Sequence, residues 1–128
     1  MQDQPQYADV VSEILEYLQR SIDIAISVGI DPKKIAVDPG IGFGKTDSHN
    51  LQILKNLERF NELSKPVLLG VSRKSLIGNI LNISAEERLE GSLAAIAFGL
   101  IQGVSIIRTH DVQATQRTIK VIQEIIKA

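Results

Sequence analysis

Residues 34–45 read KIAVDPGIGFGK: a short apolar run, Ile35 to Val37, then a carboxylate, a proline and three glycines within five positions. A continuous apolar run between Lys34 and a Pro-Gly break predicts a strand buried on both faces. Upstream the period changes. Val11, Ile14, Leu15, Leu18, Ile22, Ala25 and Ile26 recur at spacings of three and four, which predicts an amphipathic helix ending near Gly29. Downstream, a polar stretch in which Asp47 or Ser48 can cap leads into helical spacing at Leu51, Leu54 and Leu57. "KPVLLGVSRKS" supplies a second strand, Val67 to Val71, with Pro66 tolerated at its first position.

The alternation continues to the end of the chain. Ser84 with Glu87 three residues on has the capping-box pattern and predicts a helix from Ala85 to Ile101, carried by Leu89, Leu93, Ile96, Ala97 and Leu100. Gly91 and Gly99 each weaken that helix by about 1 kcal/mol relative to Ala, so close packing against the helix is expected there. "GVSIIRTHD" gives a third strand, Ser105 to Arg108, and a last helix starts at Val112 with Ile119, Ile122, Ile125 and Ile126. No linker, low-complexity tract or short repeat interrupts residues 1–128, which read as one domain. The order α-β-α-β-α-β-α predicts an α/β fold with three parallel strands and flanking helices. Periodicity leaves open a doubly wound sheet or a (β/α) barrel.

Composition limits the possible functions. A chain of 128 residues that is 44% hydrophobic and 23% charged suits one soluble globular domain. The net charge of -1 gives no global reason to expect nucleic acid or an anionic membrane as partner, so any cationic site must be local. Cysteine is absent, which excludes disulfides, thiolate metal sites and a thiol nucleophile, and is compatible with the cytoplasm. No apolar run reaches membrane-spanning length, and "MQDQPQYADV" lacks the basic-then-apolar order of a signal peptide. A cytoplasmic protein is expected.

The unusual residues fall into three clusters, Asp38 to Lys45, Ser72 to Ser75 and Arg108 to Asp111, each after the C-terminal end of an expected strand. Both candidate architectures place their active sites there. Taken alone, D-P-G reads as a solvated turn whose aspartate caps the next helix, and S-R-K-S reads as a basic surface loop. Arg108 and His110 point the same way by strand period, and a helix starts after Asp111, a combination suited to an anion. Asp111 is also the expected cap of that helix. His49, beside a helix start, reads as surface.

Together and in this order, "DPGIGFGK", "GVSRKS" and "RTHDV" closely resemble the C-terminal half of the dihydropteroate synthases, over essentially the whole chain. The resemblance implies a partial (β/α)8 barrel: the last three strands with their helices, preceded by the helix after the fifth strand, or about half of a fold of ~250 residues. "MQDQP" looks like the loop just after that fifth strand. It implies that Asp38 binds the amino-pyrimidine edge of a pterin, with Phe43 and Gly70 beside the ring and Gly40, Gly42 and Gly44 letting backbone approach it. Lys74 and Arg108 would also contact the pterin. Ser72 and Arg73 would lie near p-aminobenzoate or a sulfonamide inhibitor, and Arg108, Thr109 and His110 would hold the diphosphate. The residues implied in catalysis are Lys74, Arg108 and His110.

The implied reaction condenses p-aminobenzoate with 6-hydroxymethyl-7,8-dihydropterin diphosphate, aided by Mg2+ whose asparagine ligand is expected outside this chain, so that the chain itself holds no metal. No covalent nucleophile is needed, and Ser72, His110 and Asp111 have separate roles instead of forming a triad. Without the other half, the chain is expected to be inactive alone and to self-associate, as a homodimer or otherwise, because an opened barrel exposes sheet edges. Two alternatives remain. One is a pterin-binding methyltransferase barrel working with a corrinoid partner; the other is a non-catalytic half-barrel that binds pterin or joins a complementary half.

Overall fold

Asp9 starts the first helix by accepting hydrogen bonds from the amides of Val11 and Ser12, and α1 then runs from Val10 to Ser27. The structure is a computed structural model describing residues 9–128, so the loop likeness of "MQDQP" lies outside the described residues. The other helices are α2 (Asp47–Lys55), α3 (Ser75–Leu81), α4 (Leu89–Ile101) and α5 (Val112–Lys127). Single 3-10 segments occupy Pro32–Lys34, Leu57–Leu63 and Ala85–Glu87. Two strands, β1 (Leu68–Leu69) and β2 (Ile106–Ile107), pair in parallel with Leu68 opposite Ile106 and Leu69 opposite Ile107.

Three strands were expected and two are present among the described residues. Ile35 to Val37 contributes only a parallel bridge, Val37 to Val67, held by the Val37 amide on Pro66 O at 2.9 Å and the Leu68 amide on Val37 O at 2.8 Å. Nor is this run buried on both faces: Val37 is buried, while Ala36 is exposed. With a neighbour on one side only, the run satisfies too few backbone groups to propagate a ladder. The spatial order is Val37, β1, β2, with β1 central.

Helix packing follows this order. α1 lies against α2 and the 3-10 segment Leu57–Leu63, α2 and α3 lie against α4, and α4 lies against α5. Val37, Val67, Leu69 and Val71 from the sheet meet Ile53, Leu57, Phe60, Ile77 and Ile96 in one core. The expected close packing at the α4 glycines is present: a Cβ on Gly99 would lie 2.7 Å from Cδ2 of Leu69, and one on Gly91 would strike Ile77.

Four local expectations are corrected. Thr46, not Asp47 or Ser48, caps α2, and His49 completes a capping box by accepting from the Thr46 amide, so it is half-buried and engaged instead of merely superficial. Ser84 and Glu87 form no capping box; Ala85–Glu87 is a 3-10 turn, and α4 starts later, at Leu89. Asp111 sits at the N-cap position of α5 without capping it, because its carboxylate is held by Arg73. The short helix α3 was not anticipated. No described helix is long and apolar enough to cross a membrane.

Candidate functional site

The three expected clusters meet at the C-terminal ends of the strands, and each is fixed by backbone-directed bonds. In the loop after Val37, Oδ1 of Asp38 accepts from the Gly40 amide at 2.8 Å, while the carboxylate stays exposed. Gly40 and Gly42 have φ of 77° and 90°, a region that favours glycine. Lys45 staples this turn by donating from Nζ to the carbonyls of Gly40 and Phe43, both at 2.8 Å. Buried Asn50 accepts the Gly42 amide at 2.9 Å. Lys45 ends the expected Asp38 cluster without having been given a role there, and Asn50 was missed from sequence; an amide side chain early in the next helix is its only trace.

Lys74 connects this loop to the next cluster. Its Nζ donates to Ile41 O at 2.5 Å and stands 4.8 Å from the centroid of the Phe43 ring. Burial pushes the Lys74 pKa below its ordinary value, with nearby Arg108 and Lys45 acting in the same direction and Asp38 opposing them. Burial likewise lowers Lys45, again opposed by Asp38. Burial first, and the neighbouring cations second, disfavour the charged form of Lys74, and a bound anion would favour it.

Ser72, Arg73, Lys74, Gly70, Arg108, Thr109 and His110 line one open concavity of about 450 Å³. Ser72 is buried, and its Oγ accepts the His110 amide at 3.1 Å and lies 2.9 Å from His110 Nδ1. Which of the two donates depends on the imidazole tautomer: with the hydroxyl donating to Nδ1, a neutral ring carries its proton on Nε2. Arg108 lies across Gly70, where a Cβ would come within 2.6 Å of Nη2; no other residue at position 70 leaves the guanidinium in place. Thr109 faces inward, its Oγ1 accepting from the Asp111 amide and from Thr115 Oγ1.

Arg73 is placed differently from its neighbours. It adopts a left-handed backbone (φ 57°) and forks its guanidinium onto Asp111, Nη2 to Oδ1 at 2.7 Å and Nε to Oδ2 at 3.2 Å. Its backbone N–H and C=O are held by Ser92 and Arg88, two residues the sequence reading did not single out. Asp38 is not part of this concavity. It borders a second recess of about 390 Å³ with Tyr17, Arg20, Gly40 and Lys45. Phe43 is exposed between the two regions. Among the described residues no group of three or more His, Cys, Asp or Glu side chains could hold a metal ion.

A recess lined by Lys74, Arg108 and His110 at the C-terminal end of parallel strands is suited by its charge to an anion. Residues 1–110 match the family of pterin binding enzymes, and the chain belongs to that family.

The relatives are more particular. Dihydropteroate synthase of Escherichia coli (strain K12) is 42% identical over 128 residues, covering 100% of this chain and 45% of that protein. That of Bacillus subtilis (strain 168) is 43% identical over 116 residues, 91% of this chain and 41% of that protein. Among solved structures, Yersinia pestis dihydropteroate synthase in complex with a sulfonamide drug is similar at TM-score 0.95 and 36% identity, covering 98% of this chain and 46% of that one. Xanthomonas albilineans dihydropteroate synthase with 4-aminobenzoic acid is similar at TM-score 0.94 and 40% identity, covering 98% and 46%. The chain spans about half the length of these relatives and aligns with their C-terminal part, which makes its fold a partial barrel.

Proposed function

We propose that the protein to which these residues belong is a dihydropteroate synthase of folate biosynthesis, joining p-aminobenzoate to 6-hydroxymethyl-7,8-dihydropterin diphosphate with release of pyrophosphate. The observation that carries this reading is the position of Lys74, between the Asp38 loop and the Arg108–His110 anion recess and electrostatically coupled to both Asp38 and Arg108. One ligand with a polar ring at one end and a diphosphate at the other fits that arrangement. The named ligands of the Yersinia and Xanthomonas relatives, a sulfonamide drug and 4-aminobenzoic acid, support the second substrate.

In this reading Asp38 accepts hydrogen bonds from the adjacent N–H groups of the pterin edge, since a carboxylate offers acceptors only. Lys74 donates to the ring and Phe43 lies beside it. Arg108 and His110 Nε2 donate to the diphosphate as negative charge grows on the departing oxygen. The arylamine nitrogen forms its bond to the methylene carbon as the carbon–oxygen bond breaks, and the amine proton is lost to solvent. Ser72 orients His110 and, with Arg73, borders the place of p-aminobenzoate. Positioning and charge stabilisation carry the chemistry, with no covalent nucleophile. Mg2+ is expected to accompany the diphosphate, with ligands from outside the described residues. The 128 residues alone supply anchors for pterin and diphosphate and not turnover.

Calorimetric titration of the chain with the pterin diphosphate and Mg2+, beside Asp38→Ala, tests this. Saturable binding is expected, weakened at least tenfold in the variant, about the effect of losing one charge-assisted contact. Equal binding by both proteins would overturn the assignment of Asp38.

A further inference from the structure

The loop that carries Ser72 and Lys74 is set by residues that touch neither recess, and we infer that Arg88 and Ser92, at the start of α4, are positioning residues for the candidate site. Arg73 adopts a left-handed backbone that L side chains rarely take. Both of its peptide groups are held from α4. Its N–H donates to Ser92 Oγ at 2.9 Å, and its C=O accepts from Arg88 Nη1 at 2.8 Å. Ser92 is itself buried and fixed, donating to Arg88 O at 2.8 Å. On one side of this clamped residue Ser72 meets His110, and on the other Lys74 reaches Ile41 O. A shift at Arg73 is therefore transmitted to both site-lining neighbours.

Two further features fit this role. Arg88 Nε is buried without a hydrogen-bond partner, an arrangement poorly suited to stability alone, while Nη1 serves the loop and Nη2 reaches Ile83 O at 3.5 Å. Gly78, in the middle of α3, is the floor under that guanidinium: a Cβ there would lie 2.5 Å from Cζ of Arg88. Glycine is a poor helix former, so its presence in α3 is explained by the passage of Arg88 across it. Gly78→Ala therefore displaces Arg88 without removing any bonding group.

The inference rests on the function proposed above for its ligand, but not for its geometry, and two readouts separate them. The first is the set of His110 ring nitrogen and carbon-bound proton resonances, with Ser72→Ala marking the loss of the Ser72–His110 bond. The second is calorimetric affinity for inorganic pyrophosphate. Ser92→Ala and Gly78→Ala are expected to move the His110 resonances in the direction that Ser72→Ala moves them. They should weaken pyrophosphate about tenfold, less than the roughly hundredfold that ångström-scale misplacement can cost. Ser92→Thr, which keeps the hydroxyl, should restore both. Unmoved resonances in folded Ser92→Ala or folded Gly78→Ala protein would overturn the positioning role. A wild-type chain that ignores pyrophosphate would count against the anion site alone, because the ring resonances still decide the positioning.

Discussion

Asp111 occupies the N-cap position of α5, yet its carboxylate leaves that helix and grips Arg73 on the neighbouring loop. The Arg73 hydrogen bond is the main reason that the Asp111 pKa lies below its ordinary value of 3.8. The unfolded chain therefore binds more protons than the folded one in this range, so stability rises with pH. The contribution is complete above 3.8 and is lost as pH falls through the lowered folded value. In acid titrations followed by circular dichroism, Asp111→Asn should lose less stability over that window than the parent; parallel curves would refute the linkage. What the sequence conveys at this scale is residue type. The acceptor at Asp38 and the cations at Lys74 and Arg108 are chemically committed by their side chains and lie where strand-end reasoning puts them. Partner choice is not conveyed. Asp111 finds Arg73 across 38 residues, and no local pattern weighs that bidentate contact against a cap. His49 joins Thr46 for a similar reason: a capping box with histidine in the third position lies outside the usual Ser/Thr-to-Glu pattern.

The elements were legible where their period was long. α1, α4 and α5 each sustain an apolar repeat over several turns, and their existence follows from it. α3 has only seven residues, of which Leu76, Ile77 and Gly78 are buried, and a basic loop precedes it, so no repeat could establish it. Strand positions were readable but their lengths were not, because ladder length depends on neighbours and the run at Val37 has one alone. The glycines of α4 were flagged by their helix-propensity penalty, and the packing beneath them accounts for it. Gly99→Ala places a methyl 2.7 Å from Leu69 Cδ2, on the central strand. Overpacking typically costs about 1–3 kcal/mol, against a gain of ~1 kcal/mol in helix propensity. The expected net is destabilisation by up to about 2 kcal/mol in urea unfolding. A stabilised variant would mean that Leu69 yields freely.

At the scale of the whole molecule, the apolar surface is not closed. Val112, Val121, Ile125 and Ile126 on α5 are exposed, as are Phe98 and Ile101 on α4. An apolar groove of about 520 Å³ runs between α2, α3 and α4, past Leu51, Ile80, Leu81 and Phe98. Surface of this kind favours association. Sedimentation velocity should therefore show a concentration-dependent rise above the monomer, reduced by Ile125→Lys with Phe98→Lys; a strictly monomeric parent at high concentration would refute it. The α/β class and the strand-end location of the site were legible at this scale, whereas division of the site into two recesses was not. That division depends on where α1 places Tyr17 and Arg20 beside Asp38, a matter of helix placement and not of motif.

The bond between Ser72 and His110 has one more consequence, in time instead of space. It joins residues 38 apart, across the whole of α3 and α4, and the pairing of β1 with β2 spans the same interval. Closing so long a loop loses chain entropy before any contact compensates, which makes parallel pairing slow compared with helix formation. During refolding the helical signal should recover first and the Ser72–His110 contact, read by the His110 ring resonances, later, so that bond acts as the clock that marks the end of folding.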